Sequence, residues 1–448
     1  MIYINYGGYD FMLERKITET LVNWKNEKDK PCLLIKGARQ VGKTFIIEDF
    51  AKKNYKNYIY INFELMKEYK KIFDGNLDFN TLKLNLEVYF PDIPIEQGNT
   101  ILFLDEIQSC PNARVALKTF ALDKTIDVIA SGSLLGLYYK EISSYPVGYE
   151  RQIELYPMDF EEFLWALGIK KNVINSLKDS FFNKLSIQES ILSKINEYFK
   201  IYLLVGGMPN VVNDYVNNRS LHSVRIKQKE IIESYKNDVL HYADVADKQK
   251  ILNTFLSIPM QLSKKNKKFK YNMISIEDKN ANERKYVSSI SWLRDAGIIN
   301  FCYNLSEPAL PLNSNQKIDS FKIYMKDTGL LVSMLDSSIG TSIIDNNLSV
   351  NEGAILENIC AEEIKTRYEN ITYFEKKSKL EIDFILNIDG VCVALEVKSG
   401  NNKQSKSLKS IINNYKTVNR YIKLENNTNI YVDSDGIEHY PLFMIMFI

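Results

Sequence analysis

A glycine-rich stretch, Gly37-Ala38-Arg39-Gln40-Val41-Gly42-Lys43-Thr44, has the residue types and spacing to hold phosphate. Successive backbone N–H groups of such a loop can curl around phosphate oxygens, and the start of a following helix adds partial positive charge at the same point. Gly37 and Gly42 permit backbone angles and close approach that a Cβ would forbid. Lys43 is then placed to reach the β- and γ-phosphates, and the Thr44 hydroxyl to sit on Mg²⁺. A second stretch, TILFLDEIQ at 100–108, runs four apolar residues into two carboxylates. Asp105 would hold Mg²⁺ through its water shell, and Glu106 would orient and deprotonate an attacking water. A strand ending in solvated acids is the bland reading of that pair. Its place about sixty residues after a complete phosphate loop makes ATP with Mg²⁺ the expected ligand.

Two further sets of residues belong to this chemistry. The run from Ile126 to Ala130 ends in SGS, which sets Ser131 or Ser133 beside a γ-phosphate as a polar sensor. Arg151 is the arginine in the right neighbourhood to act as a finger on that phosphate; a plain surface arginine is the alternative. A separate cluster lies near the C-terminus. LEIDFIL (380–386) and VCVALEVKSG (391–400) are joined by Asn387-Ile388-Asp389-Gly390, a β-hairpin signal with an Asp-Gly turn. Period-two alternation puts Glu396 and Lys398 on one face, and the hairpin register can bring Asp383 to it. Two carboxylates binding Mg²⁺ beside a lysine that positions water form the metal site of PD-(D/E)XK nucleases. Glu357, on a preceding helix, would add an outer carboxylate, and charges facing solvent are the alternative.

The elements that must position these groups follow from the pattern. Residues 12–28 read as an amphipathic helix, 31–36 and 58–63 as strands, and 64–90 as two short helices. With the strands at 100–105 and 126–130 they form a parallel, doubly wound α/β sheet. In 151–168, Asp159 is a plausible N-cap before Glu162. From 183 to 262 the pattern is helical (187–205, 210–217, 221–242, 249–262), with GGMP (206–209) closing one helix and opening the next. KKNKKFK (264–270) is a local basic run that could grip phosphates or be a solvated loop. Residues 283–303 look like a winged-helix module, with Ser289, Trp292 and Arg294 as the residues to meet DNA. A helix at 351–368 precedes the C-terminal hairpin, and PLFMIMFI reads as a last strand.

At 448 residues, 45% hydrophobic and 25% charged, the composition is that of a soluble globular protein of several domains. A net charge of +1 offers no global attraction to nucleic acid or membrane. The five scattered cysteines fit buried thiols in a reducing cytoplasm, and three unclustered histidines leave little for a zinc site. No apolar run approaches the ~20 residues of a membrane helix, so a cytoplasmic location is expected. The first eleven residues lack the features of a signal peptide, and the better helical pattern begins at Met12.

Together, IKGARQVGKT, LFLDEIQ, IASGS, LYPMDFEEFL, GGMP, FKIYMKDTGLL (321–331), EGAILEN (352–358), EIDFIL, EVKSG and PLFM resemble a large prokaryotic family of P-loop ATPases. That family pairs an AAA-type core with a C-terminal domain of unknown function. The resemblance implies an AAA-type core at 12–170, a helical region at 183–262, a winged-helix-like region at 263–335 and a nuclease-like domain at 350–448. In the family a Gly-Arg pair often follows the sensor region, whereas Tyr149 and Glu150 here separate Gly148 from Arg151. The expected function is Mg²⁺-dependent ATP hydrolysis controlling the nuclease-like end, with DNA, a protein partner or a second copy of the chain as its object. The alternative is a nucleotide-controlled binding switch with a non-cutting nuclease-like fold.

Overall fold

In the computed structural model, residues 13–134, 148–264, 266–275, 278, 280–336, 338–344, 352–376, 380–398, 405–426 and 428–448 are described. Helix α1 (Ile17–Asn26) leads into a first sheet: β1 (Cys32–Gly37), α2 (Lys43–Asn54), β2 (Asn57–Asn62), α3 (Phe79–Tyr89), β3 (Thr100–Asp105), α4 (Pro111–Asp123), β4 (Asp127–Ser133) and β5 (Glu150–Leu155). Its strand order is β2-β3-β4-β1-β5, and all pairs are parallel. Leu33, Leu34 and Ile35 of β1 and Ile101 to Leu104 of β3 are fully buried, as strands covered on both faces require. Gly37 pairs with both Ser133 and Leu155, so the loops after β1, β3 and β4 open on one carboxyl-end edge.

The helical region is close to the reading from periodicity. It comprises α5 (Phe160–Ala166), α6 (Lys171–Asn183), α7 (Glu189–Val205), α8 (Pro209–Asn218), α9 (Leu221–Tyr242) and α10 (Lys248–Leu262). Asp159 caps α5 in a full capping box with Glu162. Glu162 also accepts from Arg15 Nε at 3.0 Å and from the Lys16 backbone, which fastens the first helix to α5. Gly206 and Gly207 let two chain segments touch: a Cβ on Gly207 would lie 2.0 Å from the Met158 carbonyl oxygen.

The remainder builds a second sheet. After α11 (Glu283–Asp295) come β6 (Ile299–Leu305) and β7 (Gln316–Met325). They are followed by α12 (Thr328–Met334), α13 (Ser338–Ile344), α14 (Glu352–Lys365), β8 (Ile371–Lys376), β9 (Leu380–Ile388), β10 (Val391–Lys398), α15 (Lys406–Asn414), β11 (Arg420–Glu425), β12 (Tyr431–Val432) and β13 (Glu438–Pro441). One eight-stranded sheet runs β12-β13-β11-β10-β9-β8-β6-β7, with β6 parallel to β8. The hairpin expected to be a wing thus extends the C-terminal sheet. Ser289 and Trp292 are buried, because α11 turns its apolar stripe to the core, and Arg294 is paired with Asp295. The first two cannot reach DNA there. PLFMIMFI is not a strand either; after Pro441 it forms a buried 3₁₀ segment, Leu442–Phe447. All five cysteines are free and buried.

Candidate nucleotide site and C-terminal carboxylate cluster

The phosphate loop joins β1 to α2 with Gly42 at φ 89° as the residue before the helix. Lys43 is buried, and its Nζ donates back to the Gly37 and Ala38 carbonyls at 3.1 and 2.8 Å. Burial holds its amine below the ordinary lysine value, at about 8, against the attraction of Glu106 and Asp105. Thr44 Oγ1 donates to Asp105 Oδ2 at 3.1 Å, so the two expected Mg²⁺ residues meet across the strand edge. Asp105 Oδ2 also accepts from Tyr60 Oη at 3.1 Å and Asn62 Nδ2 at 3.0 Å, while Ser131 Oγ donates to its other oxygen. Of the two expected sensor serines, Ser131 therefore sits on the acid, and Ser133 lies near Gln108, 3.5 Å from its Nε2.

Glu106 is held at φ 54°, a left-handed conformation uncommon for a non-glycine residue, where β3 turns away from the sheet. Burial raises its carboxyl pKa, opposed by a hydrogen bond from Gln108 Nε2. Gln108, Tyr60 and Asn62 escaped the sequence reading. Gln108 lies within LFLDEIQ and was visible by proximity; the other two come from a neighbouring strand, which spacing cannot show. Arg15 also escaped: its Nη1 donates to the Val41 carbonyl at 3.1 Å and braces the loop from behind.

Arg151 is not brought to this edge. It pairs with Leu33, four positions before Gly37 on β1, which places it more than about 10 Å along the sheet from the loop. Both its terminal nitrogens bind Glu27, at 2.7 and 2.8 Å, on the protein surface. Within this chain its geometry is that of the surface arginine.

The C-terminal cluster is assembled on the hairpin. Asp389 and Gly390 both have positive φ, as the two-residue turn demands. Leu395 pairs with Phe384, so the next step sets Asp383 across from Glu396. Asp383 accepts from the Val397 backbone N–H at 2.8 Å, and Lys398 Nζ contacts Glu396 Oε1 at 2.8 Å. Glu357 on α14 lies beside them, accepting from Tyr324 Oη at 3.0 Å and Lys267 Nζ at 2.6 Å. Lys322, 1% exposed, contacts Glu357 at 3.4 Å and Glu381 at 2.7 Å. These ammonium groups hold the Glu357 carboxyl down at about 2, although burial opposes them; burial and Glu357 push Asp383 up to about 7. Lys267 belongs to the basic run at 264–270, so at least that lysine is committed internally. Among the described residues, no group of three or more His, Cys, Asp or Glu is arranged to hold a metal ion. Glu396 Oε2 is buried with no hydrogen-bond partner.

Three family models match successive parts of the chain. Residues 29–164 match the family model of an AAA domain. Residues 196–339 match a domain of unknown function, DUF8612, and 352–444 match another, DUF4143. The core is thus an α/β domain of AAA type, which supports nucleotide binding and ATPase activity. An uncharacterized protein of Methanocaldococcus jannaschii is 25% identical over 408 residues, covering 88% of this chain and 80% of its own. Among solved structures, a Walker-type ATPase of Pyrococcus abyssi is similar at 13% identity and a TM-score of 0.44, covering 72% of this chain and 96% of that one. DnaA from Aquifex aeolicus, solved with AMPPCP bound, is similar at 16% identity and a TM-score of 0.28, covering 62% and 86%. No helix among the described residues is long and apolar enough to cross a membrane.

Proposed function

We propose that the chain binds ATP at residues 37–44, hydrolyses it, and uses the nucleotide state to control its C-terminal module. The observation that carries this reading is the 3.1 Å contact between Thr44 and Asp105, with Glu106 next in sequence at the same sheet edge. Loop N–H groups and the α2 N-terminus bind the triphosphate. Lys43, released from its two carbonyls, moves onto the β- and γ-phosphates. Thr44 and Asp105 fit Mg²⁺, which supplies neutralisation of β- and γ-oxygen charge when bound. Glu106 accepts the proton of the water that attacks the γ-phosphorus, and Gln108 keeps its carboxylate aimed. The test is ATP titration by calorimetry together with phosphate release. Wild type should bind and turn over, and Lys43→Ala should lose tight binding; equal affinity in the two would remove the reading.

A second reading gives the C-terminal cluster a chemistry of its own. It is favoured by the partnerless Glu396 oxygen, with Asp383 opposite in the hairpin register and Lys398 alongside. Two carboxylates suit a divalent cation, and the lysine suits a developing phosphorane charge. Asp383, Glu396 and Lys398 would then cut a phosphodiester, DNA being the first substrate to try. Incubating single- and double-stranded DNA and RNA with Mg²⁺ or Mn²⁺, with and without ATP, distinguishes the readings. Cleavage lost in Asp383→Ala establishes the nuclease; ATP turnover without cleavage leaves a binding switch.

A further inference from the structure

Arg39 sits inside the phosphate loop, yet its side chain leaves the loop for the helical region. Its Nη1 contacts Asp238 Oδ1 at 2.6 Å and its Nη2 donates to Tyr242 Oη at 2.7 Å, with the Tyr242 ring centroid 5.0 Å from the guanidinium carbon. Both partners lie near the end of α9. The Arg39 side chain is 35% exposed and borders an open groove of about 640 Å³ along that helix. It is also within electrostatic reach of the nucleotide site: Glu106 helps to raise the Arg39 pKa, and Arg39 helps to lower that of Lys43. Arg151, the other arginine considered, is at the far end of β5.

We propose that Arg39 is the γ-phosphate arginine of this ATPase and that Asp238 and Tyr242 form the latch that holds it between turnovers. The proposal rests on the ATPase reading above and names a residue and a relay that reading leaves open. A triphosphate carries several times the negative charge of one carboxylate, and the planar guanidinium fork matches phosphate oxygens two at a time. On ATP binding, Arg39 exchanges Asp238 for the γ-phosphate. As water attacks the γ-phosphorus and gives its proton to Glu106, the bond to the β-phosphate oxygen breaks and ADP leaves with that electron pair. Arg39 offsets the charge on the transferring oxygens. Asp238, half-buried with its pKa raised by desolvation, is left without its partner and draws the arginine back when phosphate departs. Each cycle therefore frees and recaptures the end of α9.

The experiment measures ATP affinity, turnover and binding of ADP with aluminium fluoride for wild type, Arg39→Ala, Arg39→Lys and Asp238→Asn. Arg39→Ala is expected to bind ATP within about threefold of wild type, to lose roughly 10³-fold in kcat, and to lose the preference for ADP–aluminium fluoride over ADP. Arg39→Lys, which lacks the fork, should stay well below wild type. Asp238→Asn, which weakens the latch, should bind ATP more tightly. If Arg39→Ala turns over at the wild-type rate, or if Asp238→Asn loses as much activity as Arg39→Ala, the residue is a strut between loop and helix and the proposal falls. A wild type that binds no ATP overturns the ATPase reading as well; wild-type turnover with an unaffected Arg39→Ala overturns this proposal alone.

Discussion

Glu106 gains its place from a backbone turn that its own side chain does not favour, and Gln108 holds it there. Glu106→Gln should keep ATP affinity while slowing turnover by about 10²–10⁴-fold, read by pairing calorimetry with phosphate release. Gln108→Ala should act through Glu106. The hydrogen bond it removes is one that lowers the Glu106 pKa, so the acidic limb of the pH–rate profile should move to higher pH. An unmoved limb would make Gln108 a packing residue only. At this scale the sequence was informative where function is local in the chain. Lys43 and Thr44 are set by loop geometry, and Asp105 and Glu106 by the end of one buried strand. Arg151, weighed as a finger or a surface arginine, lies near the start of β5, whereas the loop opens where the parallel strands end, and its fork is bound to Glu27.

Among the elements, the motifs quoted for family resemblance prove to be contacts between segments. Asp327 caps α12 through the Leu330 N–H and reaches the Gly207 N–H at 2.7 Å. On α14, adjacent residues cap two other helices: Glu362 accepts from the Thr328 N–H and Glu363 from the Phe160 N–H. Gly207→Ala should therefore cost several kcal/mol, since a Cβ against a carbonyl forces the Met158 segment away, and thermal melting should show it as a large drop in Tm. Burial and the nearby Asp159 raise the Glu363 pKa from 4.5 to about 7, with Arg367 opposing. A raised folded pKa gives a contribution to stability that is full below the unfolded value and lost as pH rises through about 7. The difference in unfolding free energy between wild type and Glu363→Gln should accordingly shift against wild type from pH 4.5 to 7.5. A difference independent of pH across that window would mean that Glu363 stays ionised. Helix spans such as 221–242 were legible from periodicity, and so was the Asp159 cap. What the helices cap was not, because Glu362 and Glu363 look like ordinary solvated charges until α14 is buried.

At the scale of the molecule, the parallel, doubly wound core could be read from strand and loop order, whereas the eight-stranded sheet could not. β6 meets β8 across more than sixty residues of chain, and short strands give no sign of distant partners. An isolated 352–448 fragment would expose the edge of β8 and strip its helix of the contacts to β6 and β7. It should give no cooperative thermal transition by circular dichroism, while a fragment from 283 to 448 should recover one. The segments 196–339 and 352–444, where the matched models meet, divide a single sheet between its sixth and seventh strands. The segment matched at 352–444 thus holds six of the eight strands, and the edge of its β8 is closed by a hairpin that belongs to the segment matched at 196–339.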